Sequence, residues 1–131
     1  MGSAGVIVLD TSALVFWTLN RDRLSRTAAQ VISDADRIAL SSISIWEIGI
    51  KVKKEQLSIP ISIQEFTDKL EQIDRLDILP VDVRTWIKNL ELDWDHRDPA
   101  DRTIVATASL HACPLVTSDS AIRAFYSQAI W

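Results

Sequence analysis

Glycine is nearly absent from this chain, with three residues in 131, at positions 2, 5 and 49. Loops that cradle phosphates need several glycines for close backbone approach, so P-loop and dinucleotide-binding sites are excluded. Histidine is as scarce. His96 and His111 are the two present, and they lack the i, i+4 or Glu-mediated spacing of zinc enzymes. Both read as surface or satisfied polar residues, His96 being the nearer to any site. No G-x-S-x-G elbow is present to carry a Ser-His-Asp hydrolase. A single cysteine, Cys113, forbids an internal disulfide. It points to a reducing cytoplasm and reads as a small buried apolar residue. No apolar run approaches the ~20 residues that span a bilayer. The start, Met1-Gly2-Ser3-Ala4-Gly5, has neither the basic nor the long apolar region of a secretory signal, and no membrane partner is expected. A surplus of positive charge is missing too. With net charge −4 and pI about 5.0, the chain does not have the balance of a dedicated nucleic-acid binder.

What is present suffices for one domain. Apolar residues make up 47% of the 131, enough for a core without staples and too many for disorder. The apolar run Val6–Leu9 predicts a first strand, and helices are predicted over 12–19 and 25–35, the second capped by Ser25. A strand at 38–41 leads to a helix that Ser44 is expected to cap. Ser62-Ile63-Gln64-Glu65 is a capping-box pattern opening a helix through Gln72. Further elements are a strand at 76–79, a helix at 83–90 and a helix from Asp98-Pro99 to His111, with Asp98 as cap and Pro99 at its first position. A strand at 114–117, a helix at 121–126 and a last short strand at 129–131 complete the pattern. Strands alternating with helices predict an α/β fold with a mostly parallel central sheet flanked by helices.

Four acidic residues, Asp10, Glu47, Asp101 and Asp119, fall where strands give way to helices. Each has a structural reading by itself. Asp10 and Asp119 can cap the helices that follow them. Glu47 and Asp101 stand third after Ser44 and Asp98, where a carboxylate can bond back to the cap. Together they point elsewhere. In an open parallel sheet the carboxyl ends of the strands share one edge, and ligands bind in the crevice there. Carboxylates gathered there repel one another by roughly 3–4 kcal/mol per pair at about 4–5 Å, with an effective dielectric near 20. A divalent cation relieves that repulsion, and all-oxygen ligands favour Mg²⁺ or Mn²⁺. Lys51, Lys53 and Lys54 form a basic cluster, as do Arg21, Arg23 and Arg26, while Arg97 and Arg102 flank Asp101. The lysines read as a solvated helix face. The five tryptophans, at 17, 46, 86, 94 and 131, read first as core or interface.

Four stretches resemble the PIN-domain ribonucleases, and within them the VapC toxins of type II toxin–antitoxin pairs. They are Val8-Leu9-Asp10-Thr11-Ser12-Ala13-Leu14, Ser42-Ile43-Ser44-Ile45-Trp46-Glu47-Ile48, His96-Arg97-Asp98-Pro99-Ala100-Asp101-Arg102 and Leu115-Val116-Thr117-Ser118-Asp119, in that order. The resemblance runs nearly end to end. It implies a single PIN-like domain over residues 1–131, residues 1–5 reading as a flexible start or cloning remnant. It implies an acidic quartet of Asp10, Glu47, Asp101 and Asp119, with Thr117 as polar neighbour. Ala100 stands where similar sequences often have Phe, which changes packing and removes no ligand.

The activity implied is Mg²⁺- or Mn²⁺-dependent endoribonuclease cleavage in the cytoplasm, by a homodimer held in check by a cognate antitoxin. Arg102 and Lys51 are expected to hold RNA phosphates at the rim, and an apolar groove near Trp17 and Trp46 would suit an antitoxin helix. Three alternatives stay open at this point. A PIN nuclease can process RNA without an antitoxin. A receiver-like regulatory module also gathers acids around Mg²⁺, although no lysine follows the late strand at Leu115–Asp119. A phosphatase with Asp-x-Asp is disfavoured by Ser12.

Overall fold

The computed structural model describes residues 5–131. The expectation of a loose start therefore lies, for residues 1–4, outside the described residues. Gly5 is held: its carbonyl accepts the N–H groups of Asp36 and Arg37, at a φ of +62° that suits glycine.

The chain runs β1 (Val6–Leu9), α1 (Thr11–Leu19), a 3₁₀ turn (Arg21–Arg23), α2 (Arg26–Asp34), β2 (Arg37–Ser41) and α3 (Ser42–Lys53). It continues through α4 (Ile63–Glu71), β3 (Leu76–Leu79), α5 (Val83–Glu91), α6 (Pro99–Leu110), β4 (Leu115–Val116), α7 (Ser120–Phe125) and β5 (Ala129–Ile130). The strands form one sheet in the order β3-β2-β1-β4-β5, and every pairing is parallel. Strand order reverses between β1 and β4, so the crevice rule for open sheets points to the ends of those two strands.

Parallel strands covered on both faces read as continuous apolar runs, and β1 obeys this with Ile7, Val8 and Leu9 all buried. Their alternation separates two cores. Ile7 and Leu9 join Ile38, Leu40, Leu14, Ile48, Phe66 and Leu70 on the face covered by α1 to α4. Val8 joins Ala39, Leu115, Ile104, Val105 and Ile122 on the opposite face, under α6 and α7. Among the described residues no helix is long and apolar enough to cross a membrane.

Local capping chemistry accounts for most boundaries. Ser25 accepts from Ala28 N–H, Ser62 from Glu65 N–H and Asp98 from Asp101 N–H, as the sequence predicts. The start of α3 is a correction. Ser41, not Ser44, is its cap and accepts from Ile43 N–H. Both are serines before helix-forming residues, but the hydrogen-bonded end of β2 lies at Ser41, so the helix starts there. Glu47 thus sits in the second turn and has no cap to bond back to.

Candidate active site

Asp10 leaves the end of β1 and caps α1. Its Oδ1 accepts from Ala13 N–H at 2.8 Å and its Oδ2 from the Thr117 hydroxyl at 2.5 Å. It is only 5% exposed. Burial lifts its pKa from 3.8 to about 6, against the two hydrogen bonds, while the charges of Asp101 and Asp119 push it the same way as burial. No lysine, arginine or histidine pairs with it among the described residues. A buried carboxylate without a cation is costly to charge.

Asp119 follows β4 and caps α7 through Oδ1 alone, which accepts from Ala121 and Ile122 N–H at 2.8 and 3.2 Å. Its own N–H donates to the Thr117 hydroxyl at 3.0 Å. Thr117 therefore couples the ends of the two strands at the reversal point, accepting from Asp119 and donating to Asp10. Asp101 occupies the first turn of α6. Its Oδ2 takes a 2.8 Å hydrogen bond from His96 Nε2, donated by the ring because a carboxylate only accepts. Burial raises its pKa first of all, with Asp98 and Asp119 adding to the rise and the His96 bond opposing it.

Glu47 reaches the region from α3. Its Oε1 is buried without a hydrogen-bond partner among the described residues, and its Oε2 lies 3.7 Å from Lys51 Nζ. Ser44, one turn earlier on the same helix face, meets the Thr11 hydroxyl at 2.9 Å. This contact fixes the face bearing Glu47 against the start of α1, immediately after Asp10. The sequence reading took Ser44 for a cap and missed this partnership. The signal for it was the Ser44–Glu47 spacing, which places both on one face.

Three of the four acids, Asp10, Asp101 and Asp119, thus share one electrostatic field; Glu47 is tied to the region through its helix, by the Ser44–Thr11 contact. As placed, no three Asp, Glu, His or Cys side chains among the described residues are close enough to grip one ion. Their oxygens are partly engaged in caps and hydrogen bonds, and mutual repulsion favours spacing them apart. The donor set nevertheless fits a hard divalent cation. It offers only carboxylate oxygens, the Glu47 Oε1 among them orphaned and buried, and Asp10 has no cationic partner among the described residues.

The rim departs from expectation at Arg102. Its Nε donates to Asn89 Oδ1, Nη1 to the carbonyls of Trp94 and His96, and Nη2 to those of Asn89 and Leu92. All five guanidinium donors are consumed in stapling the α5–α6 connection, so none is left for phosphate. Lys51 pairs with Glu47 one turn away, while Lys53 and Lys54 are solvated. Cys113 is buried, which pushes its thiol pKa up. Trp17 is buried against Phe66 and Leu70 beneath an apolar groove, whereas Trp46 is 60% exposed and lines a second groove with Ile45, Ile50 and Ile63. Ile61 borders both grooves.

The Thr117 bond has a measurable consequence. Thr117→Val removes a donor that lowers the Asp10 pKa, so that pKa rises further above 6. A bond of ~1.5 kcal/mol to a charged group corresponds to about one pH unit. The titration of the Asp10 carboxyl, followed by NMR between pH 5 and 8, should move up by that amount. An unmoved titration would mean that the hydroxyl serves only the Asp119 turn.

A family model for the PIN domain matches residues 7–127. Ribonuclease VapC22 of Mycobacterium tuberculosis is 32% identical over 118 residues, spanning 89% of each chain. Among solved structures, one chain of a toxin–antitoxin complex from Klebsiella pneumoniae superposes with a TM-score of 0.68 at 20% identity, over 95% of this chain and 96% of that one. VapBC2 of Rickettsia felis, solved with a DNA fragment from its promoter, gives 0.66 at 18% identity, over 96% and 97%. At such identities the structures speak for the fold.

Proposed function

Since the chain belongs to the PIN-domain family, we propose that it is an Mg²⁺- or Mn²⁺-dependent endoribonuclease, the toxin of a type II toxin–antitoxin pair. One observation carries the reading: buried Asp10 at the strand-order reversal shares its field with Asp101 and Asp119 and has no cationic partner among the described residues. Metal dependence is general among PIN-domain VapC nucleases. The relative named as a ribonuclease supports RNA as substrate, and the solved complexes support an antitoxin partner.

Asp10, Glu47, Asp101 and Asp119 are the residues that would hold the cation. When bound, such an ion supplies Lewis-acid chemistry, acidifying water and offsetting phosphodiester charge. The chain's own groups do the positioning. Thr117 holds Asp10 and the Asp119 turn together, and the Thr11–Ser44 contact sets the helix face that bears Glu47. Lys51, beside Glu47, is the cation at the rim suited to an RNA phosphate. The two grooves that meet at Ile61 suit an apolar antitoxin helix. We place the protein in the cytoplasm as a homodimer.

Purified protein with a small-RNA pool should give discrete cuts with Mg²⁺ or Mn²⁺ and none in EDTA. Cleavage that persists in EDTA, or none with either metal, would sink the proposal.

A further inference from the structure

His96 touches the acidic site without being an acid. It lies in the α5–α6 connection, and three independent restraints hold it there. Its ring stacks on Trp94, with centroids 4.5 Å apart and planes 18° from parallel. Trp94 in turn stacks on Phe125 at 4.7 Å and 8°, anchoring the pile on α7. Arg102 fixes the backbone from below by donating to the carbonyls of Trp94 and His96. With ring plane and main chain both set, Nε2 meets Asp101 Oδ2 at 2.8 Å.

Asp101 has no capping duty to restrain it, since Asp98 caps α6. Left alone, its carboxylate could rotate among staggered rotamers or turn back towards the cap. We propose that His96 is a positioning residue that fixes the Asp101 carboxylate through its Nε2–H, engaging Oδ2 and leaving Oδ1 for the cation. The inference rests on the metal-site reading above and concerns orientation. Partners that orient metal ligands in this way are typically worth about 10–100-fold in metal affinity or activity. The aromatic pile supplies rigidity: a histidine on a free loop would lose much of its bond to the entropy of ordering it.

Ring and donor can be separated experimentally. His96→Gln keeps a nitrogen donor and loses the ring, whereas His96→Phe keeps a stacking ring and loses the donor. Mn²⁺ affinity of the full chain is measured by calorimetric titration, alongside kcat, KM and melting temperature. His96→Phe should bind Mn²⁺ about 10-fold or more weakly and lose kcat with little change in KM, while melting close to the parent. His96→Gln should recover most of the affinity despite a lower melting temperature. The reverse order, with Phe retaining affinity and Gln losing it, would overturn the proposal and reduce His96 to a packing residue. If the parent binds Mn²⁺ but cuts no RNA, the ribonuclease reading fails while the affinity series still decides the role of His96. If the parent binds no Mn²⁺, the metal site and the role of His96 fall together.

Discussion

Asp10→Asn is expected to abolish cleavage and, in EDTA at pH 7.5, to make the protein more stable. The two effects have one origin. The native fold holds the Asp10 carboxyl at a pKa of about 6, against 3.8 when unperturbed, so the folded state binds a proton more tightly than the unfolded one. Stability from this group is therefore lowest above pH 6 and is regained as pH falls from 6 towards 3.8. A shift of about two units corresponds to ~3 kcal/mol of penalty at pH 7.5. Asn cannot charge and escapes it. It still accepts from Ala13, but its amide must donate to Thr117 where Asp10 accepted, which costs ~1 kcal/mol.

The net gain, about 2 kcal/mol, should raise the melting temperature by roughly 6–8 °C for a domain of this size. The variant should also lose most of the parent's rise in stability between pH 7.5 and 4.5. With Mn²⁺ present the order should invert, because only the parent gains by binding the ion. Cleavage should fall by more than about 100-fold, since even the outer partners of metal ligands are worth 10–100-fold. A variant less stable than the parent in EDTA at pH 7.5 would mean that Asp10 is a helix cap whose charge the fold tolerates.

Arg102→Ala should cost the fold about 3–4 kcal/mol, read as a lower urea midpoint at unchanged slope. It would strip donors from four main-chain carbonyls and from Asn89 Oδ1. Water can replace part of this, because the connection is half-buried, which keeps the figure below the sum of five buried bonds. Arg102→Lys should recover little: an ammonium is a single point of charge and cannot span acceptors contributed by Asn89, Leu92, Trp94 and His96. RNA binding supplies the contrast. An arginine on phosphate, when removed, lowers the salt slope of binding by about one. Here the slope should stay as it is in the folded fraction. A lower slope at unchanged stability would return Arg102 to the phosphate-binding role that its neighbourhood in the sequence suggested.

Most of the secondary structure, and the capping places of Asp10 and Asp119, were legible in the sequence because their causes are local. Val6–Leu9 is an uninterrupted apolar run, and Ser25, Ser62, Asp98, Asp10 and Asp119 each bond to an N–H within three residues. No tertiary contact is needed to write those bonds. The parallel sheet also followed, since helices between strands leave little other choice. Among the described residues the five strands all run the same way.

Other features depended on which distant segments become neighbours. Ser41 rather than Ser44 caps α3 because the ladder of β2 ends there, and the released Ser44 found Thr11, 33 positions away. Thr117 reaches Asp10 across 107 positions because β4 pairs with β1. Arg102, a cation beside an acid in the sequence, turned to main-chain carbonyls that only the α5–α6 connection brings within reach. His96, discounted for want of a zinc spacing, gained its role from a stack with Trp94 and Phe125. The chain by itself determined which groups can carry charge and where most of its helices and strands begin, the start of α3 excepted. The tertiary structure decided which of those groups are buried together, because burial and partnership are set by strand order and packing, and both are properties of the whole fold.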